Sequence, residues 1–379
     1  MKVVIDLKKI TILALHLNYG GIERFITNLA NSLSDEYEIE IISTYKLLDK
    51  PFFQLNNNIK VKYLITDLKP NKLLVKKYLK SFHFIKLFKE IIISLKILHY
   101  KKKRMIRAIK DCSSDIIIST RDIHNKWVGK YAKKNIIKIG SEHNDINSTK
   151  YIRDIARTAK NLDYFVVVSK KMIADYQKYL NIPVIHIPNS IASMPKCVSN
   201  LDSNSIVSAG RLESVKGYED LIDVMQMVVS KNKNIILNIA GDGSQYELLQ
   251  EKIRRLKLTN NIKLLGYKDS DELDKLYNES FLYIMTSFSE SFGLVLLEAM
   301  SHKLPCLAFD SANGACEIID NNKDGYLIEK RNKEEMAEKI LHLYKHREEN
   351  KEMGNMALEK AEKYTADKIK QKWIDVFER

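Results

Sequence analysis

The chain has 379 residues, 45% hydrophobic and 29% charged, with a formal net charge of +14. That length exceeds what one hydrophobic core usually serves, so two domains are expected, and the composition is that of a globular protein without low-complexity tracts or internal repeats. Four cysteines, Cys112, Cys197, Cys306 and Cys316, show no C-x-x-C spacing, so they indicate neither a disulfide framework nor a zinc site, and a reducing, cytoplasmic setting is expected.

At the amino terminus, Met1 to Ile10 carries charges that break its apolar run too early for a signal peptide. Ile10 to Leu15 is a continuous apolar run suited to a strand buried on both faces. The turn Gly20-Gly21 and a helix pattern through Leu33 follow it. The glycine pair allows a tight turn and close backbone approach, which suits a phosphate or acceptor loop as well as a plain connection. Glu38 to Thr44 and Ile59 to Ile65 read as further strands.

Nearly all the excess charge lies between Lys69 and Lys110, where fourteen Lys or Arg face one acid, Glu90. Such concentration argues against nucleic acid as the partner. Apolar residues recur through the segment at helical spacings, so two readings stay open: a basic helix pair lying on anionic lipid, or a solvated basic face over an ordinary core stripe. A membrane span is excluded, because the longest candidate, Phe82 to Leu98, is interrupted by Lys86, Lys89, Glu90 and Lys96.

Asp115 to Ser119 and Asn135 to Gly140 are again short apolar strands, and the second runs into Glu142-His143. A histidine at the carboxyl end of such a strand is placed to face a ligand crevice, with a satisfied structural histidine as the alternative. His124 reads as structural. Tyr164 to Ser169 and Val184 to Ser190 complete the first alternation of strands and helices, and the polar stretch from Ile191 to Asn204 marks a domain boundary.

The second half restarts the rhythm. Ser205 to Gly217 reads as strand and loop, with Gly210, Arg211 and Lys216 on a glycine-bounded turn. The two cations suit a diphosphate, as a guanidinium fork and a point charge, or are merely surface charges. Ile235 to Ala240, Ile262 to Gly266 and Phe281 to Met285 are further strands. After the last of these, Glu290-Ser291-Phe292-Gly293-Leu294 forms a strand-to-helix loop, and Glu298 follows within the helix. Unpaired helix amides favour a phosphate and the carboxylates favour hydroxyls, which together describe a nucleotide-sugar; helix capping explains the same acids. Cys306 to Phe309 is a strand, and Tyr364 to Arg379 a last helix with Ile369, Trp373, Val376 and Phe377 at core spacings. Two such alternations predict an α/β protein with two facing, doubly wound parallel sheets and a central cleft.

This ordered set of motifs resembles the retaining family-4 glycosyltransferases of the GT-B fold, in the branch that assembles bacterial polysaccharides. Gly20-Gly21-Ile22-Glu23-Arg24 looks like that family's amino-terminal glycine loop, Glu142-His143 its histidine loop, and Gly210-Arg211 with Lys216-Gly217 its diphosphate loop. Glu290 with Glu298 is similar to its pair of glutamates. The resemblance implies a Rossmann-like acceptor domain at 1–190, a donor domain at 205–360 and a helix at 364–379 returning to the first domain. It implies transfer of a sugar from a nucleotide-diphosphate sugar, UDP-linked by family frequency, to a lipid-linked saccharide in cell-surface polysaccharide or capsule synthesis. A silent binding partner of the same fold and a sugar-nucleotide epimerase are the alternatives.

Residue roles carry over by position. Arg211 and Lys216 would hold the diphosphate, and Glu298 the ribose. Glu290 with the amides of Ser291, Phe292, Gly293 and Leu294 would hold the sugar and its phosphate. Tyr267 and Lys268 would meet the base through backbone atoms, His143 the transferred sugar, and Gly20 and Gly21 the acceptor side. No metal or other cofactor is expected, because the two cations and the helix amides can neutralise the diphosphate. The expected location is the cytoplasm, peripheral on the inner face of the membrane through 69–110. Lys303 departs from the pattern, standing where the family ends a helix with glycine.

Overall fold

In the computed structural model, residues 7–144, 146 and 148–379 are described. Most of the amino-terminal stretch read above as no signal peptide therefore lies outside them. The chain opens on β1 (Lys9–Ala14), α1 (Gly21–Leu33), β2 (Glu38–Tyr45) and β3 (Lys60–Ile65), and continues through α2 (Lys72–Lys80) and α3 (Phe84–Lys110). Then come β4 (Ile116–Ser119), α4 (Asp122–Tyr131), β5 (Ile137–Glu142), α5 (Thr149–Ala159), β6 (Tyr164–Val167), α6 (Lys170–Gln177) and β7 (Val184–His186). These seven strands form one parallel sheet in the order β3-β2-β1-β4-β5-β6-β7. The continuous isoleucine and valine runs follow from that arrangement, since parallel strands covered by helices are buried on both faces: Ile116, Ile117 and Ile118 of β4 are all fully buried.

A second parallel sheet, in the order β10-β9-β8-β11-β12-β13, is built by β8 (Ser205–Ala209), β9 (Ile236–Ala240), β10 (Ile262–Leu264), β11 (Leu282–Met285), β12 (Cys306–Phe309) and β13 (Gly325–Ile328). Its helices are α7 (Tyr218–Lys231), α8 (Tyr246–Arg255), α9 (Ser270–Asn278), α10 (Leu294–Ser301), α11 (Asn313–Ile318), α12 (Lys333–Lys345) and α13 (Arg347–Glu362). The last helix, α14 (Ala366–Phe377), leaves this domain and packs on α1. Trp373 and Phe377 are buried there in one cluster with Ile26, Leu29 and Ile10. Where the chain crosses out and back, Ile191 N–H donates to the carbonyl of Tyr364 at 3.0 Å. The architecture is the expected α/β one. The strand Gly325–Ile328 and helices α12 and α13 were not identified from the sequence.

α10 ends as the sequence departure implied. Lys303 takes the left-handed conformation, at φ 68°. A side chain there costs about 1 kcal/mol relative to glycine, so Lys303→Gly should raise the free energy of unfolding by about that amount in a denaturant titration.

Candidate active site

The predicted residues lie at and beyond the carboxyl ends of the strands in the two sheets, and the contacts of Arg24 with Glu298 and of Phe52 with Tyr267 join the two halves there. On the carboxyl-terminal side, β8 leads into Gly210 and Arg211, a single 3₁₀ turn over Ser214–Lys216, and Gly217. Gly217 is left-handed, at φ 67°, and a Cβ there would stand 2.2 Å from the Thr286 carbonyl oxygen, so a glycine is required on both counts. That close approach stitches the loop to the segment after β11. Phe288 N–H donates to the Val215 carbonyl at 2.8 Å, and the Thr286 hydroxyl to the Lys216 carbonyl at 3.2 Å.

The stitching sets the Lys216 ammonium on the Glu290 carboxylate as a part-buried ion pair. Both sit beside the amino terminus of α10, whose N-cap is the left-handed Gly293 at φ 86°. The backbone of Glu290 is itself fixed, because its carbonyl accepts from Gly314 N–H at 2.8 Å. A cation, a carboxylate and helix-end amides therefore converge on one spot. Phe292 is buried, while Ser291 and Leu294 are half-buried.

Arg211 is not brought into this pair. Its side chain is exposed and makes no hydrogen bond or ion pair among the described residues, and its charge bears instead on Glu213. Gly266 is left-handed at φ 68°, and its carbonyl accepts from Gly241 N–H at 2.8 Å, which anchors the loop carrying Tyr267 and Lys268. Tyr267 is exposed and meets Phe52 of the facing domain edge-on at 5.8 Å. Lys268, on the loop before α9, pairs with Glu272 in the first turn of that helix at 2.8 Å.

On the amino-terminal side, Gly20 precedes α1, and a Cβ there would lie 2.3 Å from a carboxylate oxygen of Glu23. Gly21 has open space around it. Glu23 is buried, 3.2 Å from Arg121 and 3.3 Å from the His16 ring. His143 is buried next to Phe25, with ring centroids 4.2 Å apart, and its Nε2 lies 2.8 Å from the Ser141 hydroxyl. Its Nδ1 and the Oδ1 of Asn189 are buried without a hydrogen bond of normal length, although Asn189 lies near enough to favour a charged ring slightly. Burial, helped by Arg121, drives the His143 pKa down to about 3. The ring is therefore neutral at physiological pH, fit to exchange hydrogen bonds with a sugar hydroxyl and unfit to carry a proton to one. The preceding Glu142 is held in place by the amides of His143 and Asn144, at 2.9 and 2.7 Å.

His124 lies in the core, 3.4 Å from the Thr44 hydroxyl, and burial lowers its pKa to about 3 as well. A histidine with a depressed folded-state pKa binds its proton more readily when unfolded. Stability is therefore lost as pH falls from about 6.5 toward 3, over the window between the unfolded and folded values. Glu142 and Glu298, raised by burial above the ordinary carboxyl value, act in the opposite sense, gaining stability as pH falls toward about 4.5. The expected result for His124→Gln is a shallower loss of stability than wild type between pH 6.5 and 4, read from unfolding midpoints at each pH.

Two residues escaped the sequence reading. Arg331 stacks on Phe288 at 3.7 Å, pairs with Asp220 of α7 and donates to the Thr286 carbonyl at 3.0 Å, bracing the Glu290 loop from behind. Arg24 crosses the cleft to Glu298 at 3.2 Å. The pairing of Arg331 has no local pattern to reveal it, and Arg24 was visible only as part of the glycine-loop motif. One cluster of metal-ligand chemistry exists among the described residues, His342, His346 and Glu349, but it is at the α12–α13 corner and not on the Glu290 loop.

Residues 191–360 match the model of the family described as Glycosyl transferases group 1. The chain is 30% identical over 61% of its length to the poly(ribitol-phosphate) α-N-acetylglucosaminyltransferase of Staphylococcus aureus, covering 46% of that enzyme. It is 25% identical, over 97% of both chains, to an α-1,4-N-acetyl-D-galactosaminyltransferase of Campylobacter jejuni, whose name gives an undecaprenol-diphosphate-linked trisaccharide as its substrate. A crystal structure of a TarM variant of S. aureus with fondaparinux, α-GlcNAc-glycerol and UDP superposes with a TM-score of 0.77 at 19% identity, over 98% of this chain and 100% of that one. The fold is GT-B. The matched family and both of these relatives are glycosyltransferases by name. The chain spans less than half the length of several of the curated relatives it matches.

Proposed function

We propose that this protein is a retaining, family-4 GT-B glycosyltransferase that moves a sugar from a UDP-sugar to a hydroxyl of a lipid-linked saccharide in bacterial surface-polysaccharide synthesis. The observation that carries the reading is the convergence of Lys216, Glu290 and the amino terminus of α10, reached by a loop that only Gly217 permits. In this reading the Lys216 ammonium and the α10 amides take the charge that develops on the leaving diphosphate, while Glu290 accepts hydrogen bonds from the donor sugar. Arg211, exposed in this structure, would turn inward onto the diphosphate when the donor enters.

The reaction proposed is displacement on one face. The bond from the anomeric carbon to the diphosphate oxygen breaks, the acceptor oxygen forms its bond on the same side, and the leaving phosphate takes the acceptor's proton. His143, being neutral, orients a sugar hydroxyl and does not act as the base. Because the Lys216 ammonium and the α10 amides would meet the diphosphate, joined by Arg211 on donor entry, the step is proposed to run without a divalent metal. Thermal-shift titration with UDP-, GDP- and ADP-sugars tests donor binding. A rise in midpoint that saturates with a UDP-sugar supports the reading, since excess ligand at about a hundred times Kd adds roughly 2.7 kcal/mol of stability. No shift with any of the three contradicts it.

The acceptor side carries a second element of the proposal. Helices α2 and α3 pack on each other and expose a basic surface that is also apolar: Leu73 is 82% exposed, Phe82 76%, Ile85 88% and Phe88 66%. Among the described residues no helix is long and apolar enough to cross a membrane. Large exposed apolar side chains among unopposed lysines suit an anionic lipid surface, with each basic residue contributing about 1 kcal/mol near the headgroups. The protein should co-sediment with phosphatidylglycerol vesicles and not with phosphatidylcholine ones. Binding should weaken in high salt, and the triple change Phe82→Ser, Ile85→Ser, Phe88→Ser should abolish it.

A further inference from the structure

Glu298 and Arg24 belong to different domains and to distant parts of the chain. Arg24 lies in the first turns of α1, beside the Gly20-Gly21 turn, and its Nη2 is 3.2 Å from the Glu298 Oε1 of α10. The guanidinium also lies over the Phe53 ring at 5.0 Å from its centroid. Phe53 meets Phe52 at 5.0 Å, and Phe52 meets Tyr267 of the carboxyl-terminal domain at 5.8 Å. Phe52 is itself tied down, because its N–H donates to the Leu17 carbonyl at 2.9 Å. The ion pair is thus one part of a patch that closes the cleft from the acceptor side, and its geometry is set by aromatic packing as well as by charge.

What Glu298 offers to a ligand depends on that contact. One carboxylate oxygen faces Arg24, while Oε2 makes no hydrogen bond among the described residues. A carboxylate accepts from two hydroxyls of a vicinal diol best when it is ionised and held in one orientation. Burial works against ionisation of Glu298, and Arg24 works for it. α10 itself contains no Lys or Arg, and the ammonium of Lys216, on the loop after β8, is engaged by Glu290.

We propose that Arg24 is a positioning residue for the donor, holding Glu298 oriented from the facing domain so that its free oxygen accepts the ribose hydroxyls in the closed cleft. The inference rests on the reading of Glu298 as the ribose contact. It adds that the affinity for the donor's ribose is set partly by the acceptor domain, so that donor binding and closure of the two domains are coupled. A guanidinium suits this better than an ammonium, because its planar fork can stack on Phe53 and meet the carboxylate at once.

The test is calorimetric titration of UDP and of 2′,3′-dideoxy-UDP into the full chain, as wild type and with Arg24→Gln, Arg24→Lys, Glu298→Gln and the double change Arg24→Gln with Glu298→Gln. The expected result is that Arg24→Gln weakens UDP about tenfold and leaves dideoxy-UDP unchanged, so that the wild-type preference for the ribose diol collapses. Arg24→Lys should recover part of it, and in the Glu298→Gln background the loss of Arg24 should add nothing. A preference for UDP over its dideoxy form that survives Arg24→Gln, or losses that simply add in the double variant, would overturn the proposal and leave the donor site standing. Wild type that binds UDP without any preference over the dideoxy form would overturn the assignment of Glu298 and this inference together. Wild type that binds neither nucleotide would overturn the donor site itself.

Discussion

Lys216→Ala is expected to lower kcat/KM for sugar transfer by a factor of about 10²–10³, the usual loss when one preorganised donor of positive charge is taken from a developing anion. In the proposed reading this lysine carries a larger effect than Arg211. Its ammonium already sits on Glu290 beside the α10 amides, whereas Arg211 points to solvent. Lys216→Arg should restore part of the rate, because the charge survives while its compact geometry does not. Stability should barely change, since the Lys216–Glu290 pair is only part-buried and such pairs contribute about 1 kcal/mol or less. Steady-state kinetics and an unfolding curve on the same preparation separate the two effects. A variant that keeps wild-type kcat/KM would remove Lys216 from the site.

Gly217→Ala should act through the fold and then through the site. The left-handed backbone and the approach of the Thr286 oxygen to 2.2 Å from the added Cβ both oppose the methyl group. Together they should cost about 3 kcal/mol or more. The Thr286 carbonyl cannot move aside freely, because Arg331 donates to it while pairing with Asp220 and stacking on Phe288 and Phe309. Relief must therefore come from displacement of the Ser214–Lys216 turn, which carries Lys216 off Glu290. The expected outcome is a lower urea midpoint, together with a fall in kcat/KM as large as that of Lys216→Ala. A stable, fully active Gly217→Ala would mean that this loop does not need its observed geometry.

Much of the fold was legible because parallel strands covered on both sides must be apolar throughout. Ile10 to Ala14, Ile116 to Ile118 and Phe281 to Met285 are buried residue by residue and stand out as continuous runs. The strand Gly325–Ile328 was missed: it has four residues and opens on a glycine. Glycine loops were legible where the backbone demands them, as at Gly217 and Gly293. The stretch from Glu290 to Glu298 was readable because its residues are close in sequence. The contacts of Arg331 with Asp220 and of Arg24 with Glu298 were not, since each joins segments with no shared periodicity. The two readings of the basic segment were not separable from spacing alone; the exposure of Leu73, Phe82 and Ile85 now favours a surface that something covers.

The most direct test of the account is the transfer reaction itself, run with a UDP-sugar of α configuration and an undecaprenol-diphosphate-linked saccharide, with the new linkage assigned by proton NMR. The account predicts an α-linked product, formed equally well in excess EDTA and absent with Glu290→Ala. A β-linked product, an activity that EDTA abolishes and Mn²⁺ restores, or full turnover by Glu290→Ala would contradict it.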